Sequence, residues 1–119
     1  MNKRKTGSIY EDMAAEYLIR NGIRIVERNF RSRYSEIDII GHDGEYYIFF
    51  EVKYRRDPSA GDPVEAVDKR KQKRISRACD NFRVHRKLKD SANIRFDVIT
   101  ILGDEIKWYK NAFDYIPYY

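Results

Sequence analysis

The chain holds one cysteine, Cys79, among 119 residues. A lone thiol makes no internal disulfide and no cysteine metal cluster, which fits a reducing compartment. Histidine is scarce too. His42 falls at a turn and His85 on a basic helix surface, where an isolated imidazole is structural or solvated. No apolar run approaches the length of a membrane span. The basic start MNKRKTGSIYEDM is not followed by the apolar stretch of a secretory signal. There is no internal repeat and no low-complexity tract. A soluble cytoplasmic protein without membrane association is expected.

What is abundant is charge and aromatic surface. Charged residues make up 36% and hydrophobic ones 42%, with ten tyrosines and six phenylalanines. A chain of this length is one domain's worth, spanning residues 1–119, and buries roughly 65% of the surface its unfolded form exposes. The net charge of +5 suggests a polyanionic partner.

The local patterns predict the order α-β-β-β-α-β-β. Tyr10, Met13, Ala14, Tyr17 and Leu18 have helical spacing within residues 8–21, and Asn21-Gly22 is a stop signal. Strands are expected at residues 24–30, 36–41 and 45–54, the last two joined by a tight turn at Asp43-Gly44. Residues 55–63 read as a loop. Asp62-Pro63 reads as the cap and first position of a long helix that reaches about Leu88. Its apolar stripe is thin: Val64, Val67, Ile75, Ala78 and Phe82. Two strands follow, at residues 93–102 and 105–109, and then an aromatic tail expected to lie against the body. The fold class is α/β, a mixed central sheet flanked by helices.

The third strand, YIFFEVKY, is apolar yet contains Glu51 and Lys53. Alternation puts Tyr47, Phe49, Glu51 and Lys53 on one face. In the preceding strand Glu36, Asp38 and Ile40 share a face, opposite Ile37 and Ile39. With Asp43-Gly44 as a two-residue turn, His42 pairs with Glu45. Asp38 is then opposite Phe49, Glu36 opposite Glu51, and Asp38 diagonal to Glu51. Carboxylates gathered in an apolar setting repel, and a divalent cation relieves that repulsion. Hard oxygen ligands suit Mg²⁺ or Mn²⁺, not Zn²⁺. The bland alternative is that Lys53 neutralises Glu51 while Asp38 reaches Arg31, Arg33 or solvent. Arg55, beside Tyr54 and Arg56, adds positive charge next to the acids.

Basicity is concentrated in one element. Residues 69–89 contain ten Lys or Arg and one Asp, a net of +9 that leaves −4 for the rest of the chain. Lys69, Arg70, Lys73, Arg74 and Arg77 share a helix face, the footprint expected for a nucleic-acid backbone. It carries no base-reading signal.

Asp38 followed by Glu51-Val52-Lys53 resembles the D…ExK signature of the PD-(D/E)xK, or restriction-endonuclease-like, nucleases, which include archaeal-type Holliday-junction resolvases. The stretch from Gly7 through YIFFEVKYR, then AVDKRKQKRI and IRFDVITI, is similar to the YraN-like family of small bacterial proteins in that superfamily. The likeness runs from about Gly7 to Leu102. Ser35 departs from it, standing where a glycine is expected. The resemblance implies an αβββαβ restriction-endonuclease-like core. It also implies a Mg²⁺- or Mn²⁺-dependent nuclease that hydrolyses DNA phosphodiester bonds, structure-selective in the manner of repair enzymes. The alternative is a nuclease-fold module that binds nucleic acid without cutting it. A dimer would suit a two-strand cutter, but no interface is evident.

By the same likeness Asp38 and Glu51 would hold the metal, with the Val52 backbone carbonyl as a third ligand, and Lys53 would serve the attacking water. Glu11 matches a first-helix glutamate that faces the site in the resembling family. It also completes a Ser8-x-x-Glu11 capping box, so both readings stay open. Glu36 is either an accessory ligand or a partner of Arg31 or Arg33. Glu16 reads as solvated, and Asp97 as paired with a nearby basic side chain.

Overall fold

The computed structural model describes residues 3–55 and 67–118. The elements run α1 (Lys3–Arg20), β1 (Arg24–Arg31), β2 (Glu36–His42), β3 (Tyr46–Arg55), α2 (Lys69–His85), β4 (Asn93–Leu102) and β5 (Glu105–Phe113). The five strands form one sheet in chain order, β1-β2-β3-β4-β5. All neighbours are antiparallel except β3 and β4, which are parallel. That single parallel pair follows from α2, which lies between them in the chain and carries it back to the starting end of the sheet.

The sheet divides the interior into two cores. On one side Ala14, Ala15 and Leu18 of α1 pack with Ile39, Ile48, Phe50, Ile99 and Ile101. On the other, Ile75, Ala78, Cys79 and Phe82 of α2 pack with Ile40, Phe49, Phe96 and Val98. Each strand supplies both cores because its side chains alternate. Phe82 is central to the α2 side, edge-on to both Phe30 and Phe49. Cys79 is fully buried there, and burial pushes its thiol pKa up to about 12, so it is an inert core residue. Among the described residues no helix is long and apolar enough to cross a membrane.

Several expectations need correction. Helix α1 begins at Lys3, so Ser8 lies inside it and caps nothing. The described part of the long helix begins at Lys69, capped by Asp68, whose side chain accepts from the Lys71 N–H. Val67 is buried but lies before that cap. The expected cap at Asp62-Pro63, with Val64, lies outside the described residues. Strand β5 extends to Phe113 and pairs Phe113 with Phe96.

The β2–β3 register is displaced by two from the expected one. Asp43 N–H donates to the Tyr46 carbonyl, and the Asp43 carboxylate accepts from the Glu45 and Tyr46 N–H groups. The two turn residues are therefore Gly44 and Glu45, with Gly44 at φ +101°. His42 pairs with Tyr47, and Ile39 with Phe50. Carried one step further this register would set Asp38 against Glu51 and Glu36 against Lys53, in place of the expected Phe49 and Glu51, but the pairing stops at Ile39 and Phe50.

Candidate active site

The pairing of β2 with β3 ends at Ile39 and Phe50. Beyond it the Asp38 carboxylate takes over the ladder's role, accepting the Val52 N–H at 2.8 Å. Released from its neighbour, β2 departs from strict alternation. Ile37 packs in the α2-side core with Ile40, not beside Ile39 as expected. This is where the site forms.

Asp38 is partly buried and Glu51 is 7% exposed. Burial first, and then the Glu51 charge, push the Asp38 pKa up from 3.8 to about 7, against the opposing pull of the Val52 hydrogen bond. Glu51 is held by two lysines on the same oxygen. Lys71 Nζ lies 2.7 Å from Glu51 Oε1, and Lys53 Nζ lies 3.2 Å from it. The two amines differ in consequence. Burial, and then the adjacent Lys71, hold the Lys53 pKa below the ordinary lysine value. Burial also works against the Lys71 charge, but the attraction and hydrogen bond of Glu51 outweigh it and the pKa rises.

Glu11 reaches this region from α1. Its Oε1 lies 3.8 Å from Arg28 Nη2. The Asn29 amide nitrogen, in the orientation that satisfies both neighbours, is 2.9 Å from Glu11 Oε1 and 3.0 Å from Glu36 Oε1. Burial pushes the Glu11 pKa up, and its charge in turn bears on Asp38. Of the two readings of Glu11, the site-facing one matches the geometry and the capping one does not. Glu36 pairs with Arg31 at 3.4 Å and also lines the cleft above the acids. Glu16 pairs with Arg20 on the exposed face of α1, as expected for a solvated residue. Val52 contributes its N–H to Asp38, and Arg55 closes the far end of β3.

The acids form the floor of an open cleft of about 530 Å³, with Arg70, Lys71 and Arg74 from α2 along one side. Lys69, Arg70, Lys73 and Arg74 are exposed, as a phosphate-binding face requires. Arg77 does not belong with them. It is 5% exposed and ion-paired to Asp80 at 3.0 Å. Its guanidinium donates to the Ile116 carbonyl and lies under the rings of Tyr115 and Tyr118. Ser76 Oγ accepts the Ile116 N–H at 3.0 Å, so the aromatic tail does lie against the body, and it covers Arg77.

Lys71 and Asn29 are the residues the sequence reading missed. Lys71 was one cation among ten, and its direction depends on where α2 starts. Asn29 sits at φ +55° within β1, a conformation asparagine tolerates, and nothing in its neighbours announces the contact. Among the described residues no three His, Cys, Asp or Glu side chains gather as a metal cluster. Mg²⁺ does not need three, since it keeps most of its waters and takes one or two carboxylates. Neither Asp38 Oδ1 nor Glu51 Oε2 takes a hydrogen bond from another described residue. The donor set therefore fits a hard cation.

Fold and site together define an α/β protein with a helix on each side of a five-stranded sheet and a crowded carboxylate–lysine centre where β2 and β3 part. Residues 10–101 match the model of a family described as Uncharacterised protein family UPF0102, and the chain belongs to that family. Similar relatives include a UPF0102 protein of Lachnoclostridium phytofermentans, 42% identical over 96% of this chain and 97% of its own length. One from Fusobacterium nucleatum is 41% identical over 93% and 92%. One from Marinobacter nauticus is 45% identical over 92% of each chain.

Proposed function

We propose that this protein is a Mg²⁺- or Mn²⁺-dependent nuclease of the PD-(D/E)xK kind that hydrolyses DNA phosphodiester bonds. The observation that carries the reading is that Asp38, bonded to the Val52 N–H, and Glu51, paired to Lys53 two residues on, line one cleft at the point where β2 and β3 separate. Burial and the neighbouring Glu51 make Asp38 resist ionisation, and a bound cation would relieve that. Asp38, Glu51 and the Val52 carbonyl would hold the cation. When bound, it would polarise a phosphoryl oxygen and acidify a water. Lys71 fixes the Glu51 carboxylate by its short ion pair. Lys53, the more weakly held of the two amines, is then available to orient the attacking water and to stabilise the charge that develops on the phosphate. Arg70 and Arg74 at the cleft would hold the flanking backbone.

The second reading, a nucleic-acid-binding module that does not cut, is favoured by one feature. Glu51 is already neutralised by two lysines of its own chain. One experiment separates the two. The protein is incubated with branched, single-stranded and duplex DNA in Mg²⁺ or Mn²⁺, beside Asp38→Asn and Lys53→Ala. Cleavage is expected to vanish in the first variant and to slow by roughly 10²–10³ in the second. If the wild type cuts no substrate, or the variants cut equally well, the hydrolytic reading is wrong. Binding itself is tested by reversing Arg70 and Arg74 to Glu. Affinity for DNA should fall, and the salt slope should flatten by about 0.9 per lost phosphate contact.

A further inference from the structure

We infer that Tyr34, at the mouth of the acid cleft, is a stacking platform for an unpaired nucleobase, so that the site receives a splayed or single-stranded nucleotide in preference to continuous duplex. The inference rests on the nuclease reading of the same cleft and names its substrate class.

Tyr34 is 42% exposed, in a chain whose other rings are mostly packed. A solitary exposed tyrosine is ordinary on any surface. This one lines the cleft that holds Asp38 and Glu51, and Arg70, Lys71 and Arg74 line the same cleft from α2. The Arg33 guanidinium lies 5.6 Å from the Tyr34 ring centroid, so a cation stands beside the ring as well.

The backbone that carries the ring is also held in place. It belongs to the short turn between β1 and β2, which is closed by the Ser32 N–H donating to the Ser35 carbonyl at 2.9 Å. Ser32 Oγ accepts from the Tyr34 N–H at 3.1 Å and the Ser35 N–H at 3.2 Å. A turn this well bonded loses little backbone freedom on binding, as the mount of a recognition residue requires. The remaining elements complete a nucleotide site: guanidiniums for phosphate, a carboxylate floor beneath, and an aromatic face for a base. In continuous duplex every base already stacks on its neighbours, so the ring has nothing to receive. An unpaired base has a free face, and stacking on an aromatic ring is tolerant of sequence. The arrangement therefore selects for the local structure of the nucleic acid, not for its sequence.

The test uses the full chain in EDTA, so that nothing is cut. The probes are a single-stranded oligodeoxynucleotide carrying a fluorescent adenine analogue and a long duplex fragment whose ends are a negligible fraction of its length. The wild type should bind the single strand with a change in analogue fluorescence. Tyr34→Ala should abolish that change and weaken single-strand binding roughly tenfold, while leaving duplex affinity unaltered. Tyr34→Phe should behave as wild type. Thermal melts of both variants should match the parent, since the ring is at the surface. Equal weakening on both ligands, or an unaltered single-strand affinity in Tyr34→Ala, overturns the inference. If wild type cleaves DNA but Tyr34→Ala shows no selective loss, the inference falls and the hydrolytic reading stands. If wild type never cleaves but the selective loss appears, the reverse holds. No binding of either probe overturns the inference, while the cleavage assay alone decides the hydrolytic reading.

Discussion

Asp97 and Asp38 are both acids drawn into the body of one sheet, and the fold treats them in opposite ways. Asp97, on β4, is completely buried. Each of its oxygens accepts two hydrogen bonds. Oδ1 takes Arg95 Nε at 3.0 Å and the Asn111 N–H at 2.8 Å, and Oδ2 takes Arg95 Nη2 at 2.9 Å and Trp108 Nε1 at 2.8 Å. Among the described residues Asp38, on β2, has one hydrogen bond, from Val52, with the Glu51 carboxylate and the Lys71 amine as charged neighbours. The chain can evidently saturate a buried acid. It does so where the acid ties β4 to β5, and it leaves the other acid undersupplied where β2 and β3 open onto the cleft. The second arrangement works against stability, as the proposed cation site would require.

The contrast can be broken most forcefully at Asp97. In Asp97→Asn the Arg95 charge loses its nearer partner and keeps only Asp43, at 3.6 Å, and the new amide presents donors to Arg95 and to the Trp108 N–H. A loss of roughly 3–5 kcal/mol is expected, in line with removal of one member of a buried pair. The midpoint of urea unfolding reports it. A change under about 1 kcal/mol would mean that Asp97 is no more structural than Asp38, and the comparison would collapse.

The same isosteric change at Asp38 should go the other way. The folded carboxyl takes up its proton near pH 7, whereas an unfolded one does so near 3.8. Between those values the folded state binds more protons than the unfolded state. Stability therefore falls as pH rises through this window, and the full penalty is present above it. Asp38→Asn removes the penalty and keeps an oxygen for the Val52 N–H. In EDTA at pH 8 the variant should be more stable by on the order of 2–4 kcal/mol, and the advantage should shrink as pH is lowered toward 4. If Asp38→Asn is less stable than wild type at pH 8, the carboxylate is a satisfied structural group and not a strained one.

Part of this contrast was legible in the sequence. The pairing of Asp97 with a basic side chain was expected, and β4 has the bounds its run of alternating residues implied. The common face of Asp38, Glu51 and Lys53 survived an error in the turn. The register moved by two residues, which keeps the faces of the paired residues, and only Ile37, past the end of the pairing, changed sides. The error itself came from Asp43. Its carboxylate binds the next two turn N–H groups, which shifts the bend to Gly44 and Glu45. What could not be read was anything that depends on the phase of α2. Lys71 points at Glu51 because the described helix starts after Asp68, and Arg77 points under the tail for the same reason. In a run of ten cations, spacing alone does not say which are inside.

Lys71 gives the smallest effect and the sharpest test of how the two centres are held. Arg95 grips Asp97 through two hydrogen bonds and cannot be replaced by any neighbour. Lys71 shares Glu51 with Lys53, and its side chain is 35% exposed. Removing it leaves the second amine at 3.2 Å to take up the carboxylate. Lys71→Ala should therefore cost no more than about 1 kcal/mol, the range of a solvent-accessible ion pair, and the loss should diminish in high salt. Arg95→Ala should cost several times as much at either ionic strength, because it leaves Asp97 charged and without its cation in the interior. Paired urea titrations at low and high salt decide the matter. Equal, salt-insensitive losses in the two variants would make Lys71 a buried structural clamp like Arg95, and the carboxylate centre at β2 and β3 would then be as closed as the one at β4 and β5.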